Sequence, residues 1–256
     1  LTLSAYEGGA GQYTLQITLR ANETGSDRAA EIRIVCGEDE IVIVVRQKAQ
    51  TKDNQSVVVF EDEAFRQFCV EHFDADRNGM ITDSEVSSVD SLSVPSMEIV
   101  SLKGIEAFAS LQKLYCYDNK IEALDLSANG ELTVLGCHYN DLEELSLSAN
   151  TKLTSLNCNH NRISKLDLSA LTELRELHVQ YNELGELDLS GNPRLGILQC
   201  MENWLTELDI TKCPDLTMLW ADPMPTLETL YWTQAQADNM FALIFVPEST
   251  EKVVRE

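Results

Sequence analysis

The stretch LQKLYCYDNKI (111–121) returns as LTVLGCHYNDL (132–142), LTSLNCNHNRI (153–163), LRELHVQYNEL (174–184) and LGILQCMENWL (195–205). Leu114, Leu135, Leu156, Leu177, Leu198 and Leu219 are each 21 residues apart. Leu111, Leu132, Leu153, Leu174, Leu195 and Leu216 keep the same step, and Asn119, Asn140, Asn161, Asn182 and Asn203 follow in phase. A fixed period of this length means stacked coils. One coil cannot bury its own leucines; coils stacked about 4.8 Å apart make a continuous core and a parallel sheet. The in-phase asparagines predict a ladder inside the turn, bonding backbone groups that burial would otherwise leave unpaired.

The unit LxxLxCxxNxL resembles the leucine-rich repeat, and a second half-unit is nested inside it. Leu124-Asp125-Leu126-Ser127 recurs at Leu145–Ser148, Leu166–Ser169, Leu187–Ser190 and Leu208–Thr211, which is similar to short repeats of Bacteroidetes surface proteins. About ten residues per half leave no room for a convex helix, so extended or 3₁₀ segments and a flat, gently curved solenoid are expected. Its ends need caps. The residues before Leu92 supply one; Leu227, Leu230 and Trp232 as an irregular unit, then Phe241–Val246 and the tail, supply the other. The fold class is therefore mainly β (α+β): a leucine-rich-repeat solenoid behind a partial immunoglobulin-like segment and a helix–loop–helix cap.

Cys116, Cys137, Cys158 and Cys200 share one inward column with Val179 and Ala221. A buried thiol behaves as a small hydrophobe, and parallel neighbours suit a disulfide poorly, so core filling is the expectation. Outward strand positions line the concave face with Tyr115, Tyr117, His138, Asn157, Asn159, His178, Gln180, Gln199, Trp220 and, near the end, Tyr231; Tyr139, His160 and Tyr181 flank them. Rings and amides at pleat spacing combine stiff contact area with adaptable hydrogen bonds, as recognition surfaces do. The plainer reading is a solvated sheet face. His138, His160 and His178 stand at different strand positions, a poor arrangement for a tetrahedral zinc site.

Between an amphipathic segment, Asp62–Phe73, and the repeats lies DADRNGMITDSE (74–85). It fits D-x-[DN]-x-[DN]-G-x₅-E throughout, the pattern of an EF-hand loop. Asp74, Asp76 and Asn78 offer side-chain oxygens, Met80 its carbonyl, Thr82 a water-mediated contact and Glu85 a bidentate carboxylate, the oxygen-rich shell that Ca²⁺ takes. Gly79 permits the sharp turn. Val86, Val89 and Leu92 read as the apolar stripe of a helix leaving the loop. Only one such loop is present, so a structural calcium site stitching the cap to the solenoid is expected.

The first segment alternates Tyr13, Leu15, Ile17 and Leu19 with polar residues, and Ile32, Ile34 and Cys36 lead into Ile41–Val45 as a hairpin. Ala21–Gly25, Asp27-Arg28 and the ladder ending Val45-Arg46-Gln47 resemble the C-terminal half of a BACON domain, which implies an immunoglobulin-like fold and a cell-surface setting. The expected organisation is 1–49 as this segment, 50–60 as linker, 61–100 as the calcium-loop cap and 101–256 as the repeat domain with its C-terminal cap. Leu1 is not a methionine, so the front reads as trimmed.

With 19 basic against 42 acidic residues the formal charge is −23, a field that repels nucleic acid and anionic lipid. No stretch approaches the roughly 20 apolar residues of a membrane span. Seven cysteines, an odd number, argue against a disulfide framework. There is no G-x-S-x-G, HExxH, P-loop or GxGxxG, and an enzyme is not expected. The BACON resemblance implies a cell-surface or secreted, outer-membrane-associated setting, and the concave face is expected to bind a protein, peptide or glycan; the alternative is a spacer or adhesin part without a ligand. Oligomeric state is left open.

Overall fold

A computed structural model describes residues 28–36, 39–47, 56–239 and 244–255. The chain divides into two compact units, Leu1–Ser56 and Val57–Glu256. In the first, β1 (Arg28–Cys36) pairs antiparallel with β2 (Asp39–Gln47) from Arg28↔Gln47 to Cys36↔Asp39, the expected hairpin. The alternating run 13–20, most of the linker and residues 241–243 lie outside the described residues.

The second unit is a parallel β-solenoid with little helix. Its main sheet has eight strands. They are β3 (Ser91–Ser93), β4 (Lys113–Tyr115), β5 (Val134–Gly136), β6 (Ser155–Asn157), β7 (Glu176–His178), β8 (Ile197–Gln199), β10 (Met218–Trp220) and β12 (Ile244–Phe245), with β9 (Glu207–Asp209) lying elsewhere. The in-phase leucines pair in register, Leu114↔Leu135↔Leu156↔Leu177↔Leu198↔Leu219, and all six are buried. Because a strand alternates its side chains, pinning that leucine inward turns the residues on either side of it outward. The opposite side of most coils is made of turns, with no long helix, as the ten-residue half predicts. Burying about fifty apolar side chains in one line of coils supplies the drive to stack, each worth roughly 1.5–3 kcal/mol before chain entropy is subtracted.

Two asparagine ladders run through the core. In the first, Asn140 accepts from the Ile121 amide at 3.0 Å and donates to the Cys116 and Cys137 carbonyls at 3.0 Å. Asn119, Asn161, Asn182 and Asn203 repeat the pattern. The second, which the sequence reading missed, is built by Asn129, Asn150 and Asn192 on the opposite turn. Asn150 donates to the Leu126 and Asn129 carbonyls at 3.1 and 2.9 Å. Leu171 and Cys213 interrupt it, and Gln236, from α3 (Gln234–Asn239), ends it by donating to the Ile210 and Cys213 carbonyls. The sequence signal was present: Asn129 and Asn150 are 21 apart, two residues after the serine of each half-unit.

The N-terminal end is closed by α1 (Glu63–Phe73), whose Phe65 packs against Phe60 edge-on at 5.3 Å and against Phe108 at 6.3 Å. Asp62 ties helix to solenoid with both oxygens: Oδ1 accepts from the Phe65 amide at 2.9 Å, capping α1, and Oδ2 accepts from the Val100 amide at 2.9 Å. The helix expected to leave the acidic loop is a single turn, α2 (Asp83–Val86). Val86 is buried there, but Leu92 belongs to β3, so the sheet starts inside the stretch expected to be cap.

At the C-terminal end the phase breaks. Leu219 pairs with Ile244, a step of 25 rather than 21. The intervening β11 (Thr229–Trp232) joins β9 and β13 (Glu251–Val254) in a separate three-stranded parallel sheet. This corrects the placement of Tyr231: it pairs with Asp209 and Val253, not with the face that carries Trp220. The longer coil carries it past the main sheet. There Tyr231 lies under the Arg255 guanidinium, 3.3 Å from its ring centroid, in a groove of about 850 Å³ also lined by Lys165, Asp188 and Asp209.

Candidate functional site

Two places gather chemistry. In the acidic loop, side-chain oxygens of Asp74, Asp76 and Glu85 all come within 4.8 Å of one another. The backbone turn makes this convergence: Arg77 and Gly79 both have positive φ, 59° and 79°, which drives the chain back over itself. Asp74 accepts from the Asn78 amide at 3.1 Å and the Gly79 amide at 2.7 Å. Asn78 Oδ1 accepts from the Met80 amide at 2.7 Å while its Nδ2 donates to Asp76 at 2.7 Å. Glu85 closes the ring: Oε1 accepts from the Ala75 amide, and Oε2 from the amide and hydroxyl of Thr82, so the same carboxylate caps α2. An oxygen-only donor set on a preformed turn suits a hard divalent cation. Asp74, Asp76, Asn78 and Glu85 would hold it through side chains and Met80 through its carbonyl.

The loop is anchored from outside. The Val58 amide donates to the Ile81 carbonyl at 2.8 Å, and Val57 bridges Thr82 in antiparallel fashion. This short strand before α1 pairs with the loop's own backbone, and Ile81 is buried beneath it. Sequence reasoning missed it, since two residues carry no periodicity.

The second place is the strand face of the main sheet and its rim. Tyr117 stacks on His138 with centroids 4.5 Å apart and planes at 13°. One residue further along each coil, Tyr139, His160 and Tyr181 form a continuous stack, 4.1 and 4.2 Å apart and within 13° of parallel. Tyr139 and Tyr181 are exposed. All three sit in the left-handed region, φ 52°, 50° and 56°, as do Ser96, Asp118 and Glu202 in the same column. That conformation costs an ordinary residue roughly 1–2 kcal/mol and is easiest for glycine or asparagine. The Asn ladder directly behind holds the turn regardless of what the rim residue prefers.

Of the other residues expected on this face, Tyr115, Asn157, His178 and Gln199 are half-buried and Trp220 is exposed, touching Phe245 edge-on at 5.9 Å. Asn159 is buried rather than presented. Gln180 donates to Gln199 at 3.3 Å across one strand step. Tyr115 has room because its neighbour is Gly136, whose added Cβ would come 3.1 Å from the Tyr115 ring. Burial holds the His138 imidazole below its ordinary pKa; His160 and His178 push the same way and Asp118 opposes them. Burial also lowers His160. Inside the sheet, burial pushes the thiols of Cys116, Cys158 and Cys200 up to about 12 and Cys137 well above its usual value. They are protonated core residues, as expected.

Comparison with known proteins agrees with both units. Residues 1–48 match the family BACON, described as "Putative binding domain, N-terminal", and residues 151–191 match "Leucine Rich repeats (2 copies)". No curated protein matches the chain. Among solved structures, an internalin C2 from Listeria monocytogenes is 18% identical, covering 75% of this chain and 97% of that one at a TM-score of 0.50. An internalin, inlF, from the same species is 21% identical, covering 76% and 71% at 0.52. The functional domain of InlJ from Listeria monocytogenes, which includes a cysteine ladder, is 25% identical over 60% of this chain and 51% of its own, with a TM-score of 0.27; this chain spans about half its length. The fold is that of a leucine-rich-repeat solenoid.

Proposed function

We propose that the protein is a surface-exposed or secreted recognition protein, outer-membrane-associated as the BACON resemblance implies, that holds a protein, peptide or glycan on the strand face of its solenoid. The observation that carries this reading is the rim: Tyr139, His160 and Tyr181 form a continuous ring stack with Tyr139 and Tyr181 open to solvent. Stacked rings of this kind are stiff, amphipathic contact area. The repeat fold, with its strand face running the length of the main sheet, supports a binding role. No helix among the described residues is long and apolar enough to cross a membrane. Peptide and glycan arrays probed with the wild type, Tyr117→Ala and Trp220→Ala test the reading. Binding lost in a variant is expected; an array on which the wild type binds nothing returns the molecule to the role of spacer.

The acidic loop is, in this proposal, a structural calcium site. Its backbone is shared with Val57–Val58 on one side and leads directly into β3 on the other, so a cation there fastens the cap to the first coil. A ligand that binds only the folded state stabilises it by mass action, about 2.7 kcal/mol at a hundredfold excess over Kd. Calcium should therefore raise the melting temperature, and chelator should reverse the rise. Asp76→Asn, at an exposed ligand that bonds only within the loop, should weaken the effect. An identical midpoint with calcium and with chelator would reject the site.

A further inference from the structure

The strand face is not uniform from end to end, and its asymmetry points to a kind of partner. Towards the C-terminal end the outward positions become mostly apolar: around Gln199, Ile197, Met201 and Met218 are half-buried, and Trp220 and Phe245 are exposed at 36% and 49%. The edge-on Trp220–Phe245 pair leaves ring surface open at the end of the sheet. In the middle, the same columns carry Ser155, Asn157, Glu176 and His178. Charge is one-sided as well. The acids on the face and rim are Asp118, Glu176, Glu202 and Asp222, all exposed; the matching cation among the described strand and rim positions is Lys113, at the far end. Asp118 and Glu202 bracket the Tyr139–His160–Tyr181 stack within its own column. Stacking covers the inner ring faces and leaves edges, hydroxyls and two end faces, with Asp118, which accepts from the Ser96 hydroxyl, and Glu202 as the next residues of the column at either end. A sugar seeking a flat ring along this stack finds edges, whereas a guanidinium or ammonium group finds paired acid and π-surface.

We infer that the occupant of this face is a cationic protein segment that seats one large apolar side chain at Trp220–Phe245 and lays lysine or arginine along the Asp118–Glu202 rim. This rests on the recognition reading above and narrows its partner. The apolar end supplies a desolvated anchor, and the acidic rim, in a chain of charge −23, supplies steering and orientation.

The test uses the full chain and three sets of synthetic twelve-residue peptides: basic with a central Leu, Phe or Trp; basic with Ala at the centre; and acidic with the same apolar centre. The first set should bind best, with affinity falling as salt is raised. Trp220→Ala should weaken it about tenfold or more and Phe245→Ala less. Glu202→Lys, at an exposed side chain, should slow association several-fold, and its melting temperature and that of Trp220→Ala should both stay at the wild-type value, which guards against a folding defect. Equal binding of acidic and basic sets, or equal binding with Ala at the centre, overturns the inference. So does binding by none of the peptides. A glycan held by the same face and released by Tyr117→Ala would then preserve the recognition reading while removing this partner; an empty glycan array as well would remove both.

Discussion

Each coil makes two turns, and they are built differently. The front turn, beside the aromatic rim, uses an asparagine in every coil from Asn119 to Asn203, and each of Asn140, Asn161, Asn182 and Asn203 employs both its oxygen and its nitrogen. The back turn uses Asn129, Asn150 and Asn192 through their nitrogens only; their side-chain oxygens are buried without a partner, and Leu171 and Cys213 take the place in other coils. The front turn must hold a left-handed residue whatever its side chain, so its scaffold is complete. The back turn carries no such demand and tolerates substitution. The exposed rim is free to vary because the buried ladder beneath it is not.

The largest effect that would break this comparison comes from deleting one rung of each ladder. Asn140→Ala leaves the Ile121 amide without its acceptor inside the core and takes one of two donors from the Cys116 and Cys137 carbonyls, which keep Asn119 and Asn161; it should cost about 2–3 kcal/mol. Asn150→Ala takes one of two donors from the Leu126 and Asn129 carbonyls, which keep the Asn129 and Leu132 amides, and removes an oxygen that was already unpaired, so about 1 kcal/mol is expected. Urea unfolding of both variants decides it. Equal losses would mean that the two turns bear the same load and that the front ladder has no special duty.

What the sequence displays follows the same division. The leucine spine and front ladder were legible because the period holds over five coils, and six in-phase leucines admit one register. In the acidic loop the spacing of the carboxylates was legible, and the structure brings side-chain oxygens of Asp74, Asp76 and Glu85 within 4.8 Å of one another. The back ladder was in the letters but broken at Leu171 and Cys213, so its phase carried less weight. Tyr231 was misplaced because the step from Leu219 to Ile244 is four residues longer than the others, and an argument from period fails where the period changes. Val57–Val58 pairing with the loop is set by tertiary contact alone.

Repairing the back ladder sharpens the contrast in the other direction. Cys213 sits where Asn192 does one coil earlier, its sulfur 3.8 Å from the Leu189 carbonyl. Cys213→Asn places an amide there that can donate as Asn192 does to Leu168 and Leu171 at 3.1 and 3.0 Å. The gain of a buried hydrogen bond over a weak thiol contact, offset in part by burying another amide oxygen without a partner as at Asn192, leaves about 0.5 kcal/mol, so the unfolding midpoint should rise slightly. A fall would show that Cys213 is kept for its fit among Leu189, Gln236 and its neighbours, and that the interruptions of the back ladder are themselves part of the design.

The smallest effect separates the turns by pH. His138 and His160 belong to the front rim, and burial lowers the pKa of each below its ordinary value near 6.5. The unfolded chain therefore binds protons that the folded chain refuses, and stability rises with pH across the window between the folded and unfolded values. Above about pH 7 the contribution is complete; acidification through about pH 6.5 and just below removes it, before most carboxylates titrate. Urea midpoints measured between about pH 7.5 and 5.5 should slope downward on the acid side, and the slope should flatten in His138→Phe/His160→Phe, which keeps flat rings in both stacks. Beside the back turn, hydrogen bonds from Ser127, Ser169 and Ser190 hold Asp125, Asp167 and Asp188 below the ordinary carboxylate range, and burial pushes Cys213 up to about 12, so these groups titrate outside this window and a slope that survives in the double variant would have to come from elsewhere than the rim. The contrast would then be one of hydrogen bonding alone, and the histidines would contribute to the face only as stacked rings.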